Sequence, residues 1–312
     1  LNYQYNNRYK KKNSPVIIFS LIIVLVLVSL SAFFLFRYAK KNKDIITKKN
    51  EIQKYYQKLF EERNFTLIIE KIENELKNDP FSVKYLMFRG YSFFLLGEEE
   101  KNIQKRNSFL YSALIDLRKV LALGVSAKNK ENIFLAIGKI YYYLGENYYR
   151  LSVDYLSRAL ESGMVRKDLY YILGLVHSNI GSYDKSIEYF KESLKIEESD
   201  FLLLALGLTY YKNDDSDNTI KYLNRVIKVS NNPKIIEKSF FLLGEIYFNQ
   251  NKFSESLDCF NKVIDLNENN SSAYFYRGEI YLKYNEKIKA RAEWRKTLLI
   301  DPSHIRALKR IY

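Results

Sequence analysis

The sequence predicts an all-α protein: an α-solenoid of stacked helix pairs preceded by one transmembrane helix. Three observations carry this reading. Six glycines (Gly90, Gly138, Gly174, Gly207, Gly244 and Gly278) each follow a bulky residue by four positions and precede a ring by three. The last four stand 33, 37 and 34 residues apart, a period that belongs to stacked helix pairs and not to one globular core. Near the start, residues 16–36 are 21 consecutive positions without a charge, nearly all Ile, Leu, Val or Phe.

Taken in order, residues 1–15 form a short basic tail carrying Arg8, Lys10, Lys11 and Lys12. Residues 16–36, wound as a helix at about 1.5 Å per residue, reach about 31 Å, the thickness of a bilayer core. A cleaved signal peptide has a shorter apolar region, roughly 7 to 15 residues, before a small-x-small site. Here the run continues past Ser29, Ser31 and Ala32 to Phe36, and no cysteine lies nearby for lipid attachment, so an uncleaved anchor is expected. Residues 37–48 form a basic juxtamembrane linker with Arg37, Lys40, Lys41 and Lys43, suited to lipid headgroups at about 1 kcal/mol per basic residue near an anionic surface. Both flanks are basic, and the charge count alone slightly favours keeping the large domain inside. A short basic tail is nonetheless costly to translocate, whereas long domains cross largely regardless of their own charge. The expectation is a single-pass protein of the cell membrane with its repeats on the extracytoplasmic side, the alternative being the cytoplasmic face.

Residues 49–302 hold the repeats. Twelve residues after Gly174, Gly207, Gly244 and Gly278 come Ser186, Thr219, Ser256 and Ala290, and four further on come Phe190, Leu223, Phe260 and Trp294. A glycine on one helix and a small residue on the next let two backbones approach closely, while the large residue fills the space between this pair and the following one. Gly145, Gly181 with Tyr183, residues 213–217 and residues 249–253 mark the loops within pairs. Pro80 and Pro302 fall where a second helix should stop. Residues 303–312 form an amphipathic segment expected to cap the stack.

This pattern resembles the tetratricopeptide repeat (TPR) family. The resemblance is strongest over residues 169–302, and residues 168–200 come close to a consensus unit through Tyr170, Leu173, Gly174, Gly181, Tyr183, Ser186 and Phe190. About seven units can be read, the first two or three degenerate or expanded. The unit of Gly138 needs two extra residues before Ser152 and Leu156. The unit of Gly90 needs about eleven, assigned to the charged stretch 98–106 ahead of Ala113, Leu117 and Val120. A degenerate unit spans residues 49–80, with Phe65 and Ile72 in register and Tyr56 where glycine belongs.

Composition narrows function by exclusion. The net charge of +14 resembles a nucleic-acid signature until it is located: residues 1–49 carry ten basic residues and one acid, leaving +5 over the other 263. Runs such as 185–195 mix both signs, as solvated helix faces do, so no nucleic-acid partner is expected. One cysteine, Cys259, and two histidines, His177 and His304, make neither a disulfide nor a typical zinc site, so no metal and no cofactor are expected. His177 occupies a ring position of the repeat, and Cys259 sits beside Phe260 as a small semi-buried thiol. Asp214 and Asp215 lie in a turn, where carboxylates cap helices. No phosphate loop, nucleophile elbow or metal motif occurs, and the chain is not expected to be an enzyme.

What remains is binding to other proteins or peptides. The resemblance implies a concave wall lined by the first helix of each pair, facing outward three residues before the glycine, one after and four after. These positions are Leu135, Lys139 and Tyr142; Tyr171, Leu175 and Ser178; Leu204, Leu208 and Tyr211; Phe241, Glu245 and Phe248; and Phe275, Glu279 and Leu282. Aromatic and aliphatic side chains dominate, which suits an apolar or amphipathic segment of a partner. Family members that capture acidic chaperone tails carry Lys, Asn and Arg at such positions; Leu135, Tyr171, Leu204, Phe241 and Phe275 stand at one of them here. The expected role is a membrane-anchored adaptor or scaffold, accessory to protein export or envelope assembly. The alternatives are a structural subunit of a larger membrane complex and a non-catalytic regulatory subunit of a separate enzyme.

Overall fold

The computed structural model describes the backbone of residues 15–311 and the side chains of residues 29–43, 47 and 51–311. Among these residues all regular structure is helical. The chain divides into two compact units, residues 1–80 and 81–312.

The first unit contains α1 (Pro15–Glu61) and α2 (Phe65–Asn78). Residues 37–48, read from the sequence as a linker, continue α1 without a break. No glycine or proline occurs from residue 16 to the end of the helix, so nothing there removes a backbone hydrogen bond or lowers helix propensity sharply. The first part of the expected membrane span, residues 16–28, lies outside the described side chains. Among the described residues no helix is long and apolar enough to cross a membrane. Tyr56, Leu59, Phe65, Ile68, Ile72 and Leu76 are buried in this unit, and the rings of Phe60 and Phe65 meet edge-on at 5.3 Å.

The second unit is built from six helix pairs: α3 (Val83–Glu99) with α4 (Ile103–Leu123), α5 (Ala127–Leu144) with α6 (Tyr149–Glu161), α7 (Lys167–Asn179) with α8 (Tyr183–Ile196), α9 (Asp200–Lys212) with α10 (Ser216–Val229), α11 (Pro233–Asn249) with α12 (Phe253–Leu266), and α13 (Ser271–Lys283) with α14 (Lys287–Ile300). A last short helix, α15 (Ile305–Ile311), packs on α14. Each second helix also touches the first helix of the next pair. First helices touch across pairs as well, so α5, α7, α9 and α11 form one layer.

Sequence register explains this stacking atom by atom. A Cβ on Gly174 would lie 2.5 Å from the Phe190 ring, one on Gly138 2.6 Å from Leu156, one on Gly244 2.8 Å from Phe260, and one on Gly278 2.5 Å from the Trp294 indole. Each large residue thus covers the glycine of its own pair, and Phe190 also joins the core of the next. The small residue does more than allow approach. Ser152, Ser186 and Ser256 donate their hydroxyls to the carbonyls of Gly138, Gly174 and Gly244 at 2.7, 2.7 and 2.8 Å, so helix two is hydrogen-bonded to helix one at the point of closest contact.

Loop geometry repeats with the same register. Seven residues after the glycine the backbone is left-handed at Gly145, Gly181, Asp214, Asn251 and Asn285, a conformation that glycine, asparagine and aspartate tolerate best. Arg63, seven residues after Tyr56, has φ +57°, so the degenerate unit keeps this turn although it has lost the glycine. The extra residues of the Gly90 unit do not form a loop. They lengthen α3 to 17 residues and α4 to 21, and a second close approach appears at Gly97, whose Cβ would lie 2.7 Å from Leu110. The two extra residues of the Gly138 unit go into a single 3-10 turn over Glu146–Tyr148.

Candidate partner-binding wall

The predicted wall positions separate into buried, half-buried and exposed classes. Leu135, Leu204, Phe275 and Glu279 are buried. Lys139, Tyr142, Tyr171, Leu175, Ser178, Leu208, Phe241, Glu245, Phe248 and Leu282 are half-buried, and Tyr211 is exposed.

The charged positions are already partnered. Lys139 Nζ lies 2.8 Å from Glu98 Oε1 and 5.3 Å from the centre of the Phe94 ring. Glu245 accepts a hydrogen bond from the Tyr276 hydroxyl at 2.8 Å. Glu279 receives two bonds from the Arg310 guanidinium, at 2.8 and 2.6 Å. Arg306 of α15 lies over Phe275 at 4.4 Å, and the His304 ring stands 5.0 Å from it. Helix α15 therefore occupies the wall positions of the last pair, and the predicted site residues Phe275 and Glu279 are taken by contacts within the chain.

Toward the middle of the layer the aromatic positions form two groups. Tyr142 stacks on Tyr149 at 6.0 Å, and Tyr171 lies 5.8 Å from Phe190. Burial pushes both phenols above their ordinary range, so they are neutral donors at physiological pH. The second group joins Phe241, Phe248, Phe260 and Tyr276, with Tyr276 stacked flat on Phe260 at 4.9 Å and the other two edge-on to Tyr276. Leu175 and Leu208 pack against the core between these groups. Ser178 lies 3.4 Å from the Thr209 hydroxyl, which itself bonds to the Ala205 carbonyl.

Two hollows open beside these rings. One, of about 290 Å³, is lined by Tyr171, Leu202 and Phe201 with Lys167, Asp168 and Glu197 among its polar groups. The other, of about 280 Å³, is lined by Phe241 with Lys234, Glu237, Lys238 and Asn270. Phe201 is 58% exposed at the start of α9 and was not among the predicted positions. The signal for it was present: six residues before the glycine the other units carry Asn132, Asp168, Lys238 and Ser272, all polar.

The titratable residues singled out in the sequence have structural surroundings. Among the described residues no group of His, Cys, Asp and Glu is placed to hold a metal ion. His177 is buried and stacked on Tyr189 at 5.3 Å, and burial, aided by Lys185, lowers its pKa. Cys259 is buried, and its thiol is pushed up to about 12 by desolvation. Asp215 caps α10 by accepting from the Asn218 amide at 3.0 Å, the role expected for a turn carboxylate.

Comparison with known proteins agrees with this architecture. Family models described as tetratricopeptide repeat match residues 168–200 and 202–229, and one described as TPR repeat matches residues 244–284. The TPR repeat-containing protein MJ1428 of Methanocaldococcus jannaschii is 29% identical over 165 residues, covering 52% of this chain and 28% of its own length. Response regulator aspartate phosphatase E of Bacillus subtilis is 20% identical over 216 residues, covering 64% of this chain and 55% of its own. The chain thus spans about a quarter to half of these relatives. Among solved structures, the C-terminal part of a TPR repeat-containing protein from Cytophaga hutchinsonii superposes with a TM-score of 0.66 at 19% identity, covering 83% of this chain and 99% of that one. YrrB, described as a TPR protein with an unusual peptide-binding site, superposes with a TM-score of 0.52 at 21% identity, covering 62% of this chain and 96% of that one. These likenesses extend the repeat geometry beyond the matched segments, and the chain carries tetratricopeptide repeats over residues 168–229 and 244–284 within an all-helical solenoid.

Proposed function

We propose that this protein is a membrane-anchored, non-catalytic scaffold that holds an apolar or amphipathic segment of a partner protein against the wall of first helices, as an accessory factor in protein export or envelope assembly. The observation that carries the binding reading is the pair of hollows beside exposed or half-buried rings, Tyr171 with Phe201 and Phe241 with its polar rim. An aromatic floor with a few charged groups at the edge suits an apolar side chain flanked by peptide polar groups. The peptide-binding site named for YrrB is consistent with such a use of this fold.

The anchor rests on the charge-free residues 16–36, on the unbroken α1 backbone from Pro15, and on Leu30, Phe33, Phe34, Leu35 and Phe36, which project uncovered. An anchor raises the local concentration of the wall at the bilayer, so weak contacts suffice to hold a partner there. The site comprises Tyr142, Tyr171, Leu175, Leu208, Tyr211, Phe241, Glu245 and Phe248, with Phe201 added. A photoreactive residue at position 201, in the full chain, should crosslink a partner in native membranes. Replacing Tyr211 and Phe248 together with alanine should abolish that adduct while far-ultraviolet circular dichroism stays unchanged. An undiminished adduct in the double variant would move the site elsewhere.

A further inference from the structure

The repeats supply their own internal control for what an outward helix face should look like. Four positions on the outer face of the second helix recur in register. In α8 they are Asp184, Glu188, Lys191 and Lys195; in α10, Asp217, Lys221, Asn224 and Lys228; in α12, Ser254, Asp258, Asn261 and Asp265. Every one of these is polar, and all are exposed except the half-buried Asn261. In α14 the same positions are Ile288, Ala292, Arg295 and Leu299. Ile288 is 86% exposed and Leu299 78%, so three of the four positions of the last pair are apolar where the three preceding pairs present only charged, amide or hydroxyl side chains.

Charge departs from the pattern at the same place. Residues 283–312 hold nine basic residues against three acids, a net +6, whereas residues 50–282 hold 31 against 32. The acids of this end are engaged: Glu293 with Arg277 at 2.7 Å, Glu286 with Lys289, and Asp301 with the Ser303 hydroxyl at 2.7 Å. Lys287, Arg291, Arg295 and Lys309 have no carboxylate partner among the described residues. Residues 288, 292, 295 and 299 fall within about 60° of one another around a helix of 3.6 residues per turn, with Arg291 and Lys296 on the two flanks. The face is thus a strip about 16 Å long on which Ile288, Ala292 and Leu299 are interrupted by Arg295 and bordered by Arg291 and Lys296, an exposed helix surface and not a groove.

We infer that this face binds the surface of an anionic lipid bilayer. Apolar side chains flanked by Arg and Lys on one exposed helix face are the composition of a helix that lies in the headgroup layer. A second copy of the chain would bring +6 against +6, which disfavours self-association through this face. The inference does not depend on the proposed N-terminal anchor, because the last pair carries it alone.

The test uses the full chain with Ala292→Cys labelled by an environment-sensitive dye; the buried Cys259 thiol, raised to about 12, stays unlabelled near neutral pH. Vesicles containing phosphatidylglycerol should shift the dye emission to the blue, and phosphatidylcholine vesicles should not. The R291E/R295E variant should need about tenfold more anionic lipid for half the shift, or lose it. The same dye at Asp258→Cys on α12 should stay unchanged. No shift with anionic vesicles, an equal shift at position 258, or an undiminished shift in R291E/R295E would each overturn the inference. An equal shift with soluble polyglutamate would also overturn it, by assigning the face to an acidic polypeptide. If the anchor proposal alone fails, the chain leaves neutral vesicles but the lipid-dependent shift at position 292 persists.

Discussion

The glycines of the repeat differ in how tightly they are covered, and the difference is measurable. A Cβ on Gly174 would lie 2.5 Å from the Phe190 ring, a rigid group held by the core of the next pair, whereas one on Gly207 would meet the Leu223 side chain at 3.0 Å from its methyl and 3.3 Å from its Cγ. Within a helix, glycine to alanine gains about 1 kcal/mol of propensity, and overpacking costs about 1–3 kcal/mol. At Gly207 the leucine methyl can rotate aside, so the two terms should nearly cancel. At Gly174 the ring cannot, so overpacking lies at the upper end of its range and Gly174→Ala should be destabilised by about 2 kcal/mol after the propensity gain. Urea unfolding of both variants checks this, and equal midpoints would mean that the pair α7 and α8 relaxes more freely than its packing shows. The glycine, small and large positions were legible because packing at this distance admits no other side chains. The serine hydroxyl bonds were not, since a small residue at that position satisfies the spacing whether or not it donates: Thr219 bonds within its own helix instead, to the Asp215 carbonyl at 2.7 Å.

Among the helix pairs, the first and last of the second unit share a feature that the middle ones lack. Arg89 in α3 makes two bonds to the buried Asp116 of α4, at 2.7 and 2.8 Å, and Arg277 in α13 pairs with Glu293 of α14 in the equivalent place. In the pairs between, those positions are apolar or aromatic, as in Leu206 with Tyr222. Breaking such a pair by Asp116→Ala leaves the guanidinium without its carboxylate and should cost about 3–5 kcal/mol. The double change Arg89→Leu with Asp116→Tyr, which copies the middle pairs, should be neutral or stabilising relative to the parent. A double variant as unstable as Asp116→Ala would show that the ion pair itself holds α3 and α4 together. Helix lengths follow the same lesson in legibility. The roughly eleven extra residues of the Gly90 unit were assigned to the charged stretch 98–106, with no helical role given to them. Yet charge alone does not break a helix; Glu98 is held by Lys139 and Tyr143, and the added turns find a glycine, Gly97, to pack through. The predicted wall positions all fall on first helices, but whether a side chain on them is free depends on the next pair. Arg310 and Tyr276, which occupy Glu279 and Glu245, lie 31 residues away in sequence and follow from no local pattern.

For the whole molecule, net positive charge is confined to the two ends of the sequence, and this sets the expectation for membrane side. Residues 50–282 are close to neutral, so the repeat body offers translocation little electrostatic resistance, and long domains cross largely irrespective of charge in any case. Orientation is then decided within the flanks of residues 16–36. The first 14 residues hold four basic groups and no acid, while residues 37–49 hold six basic groups and one acid. The count favours retaining the second flank; the cost of moving a short, wholly basic tail across favours retaining the first. The proposal that the tail stays inside predicts that a reporter active only outside the cytoplasm, fused after Tyr312, is active in the full chain. It further predicts that removing the tail charges (Arg8, Lys10, Lys11 and Lys12 to Gln) lets the six basic groups of the second flank dominate, so that reporter activity falls and the repeats are retained inside. A reporter silent in the parent chain would place the repeats on the cytoplasmic face. Activity that ignores the tail charges would mean that the long helical domain, and not the tail, determines which way the chain enters.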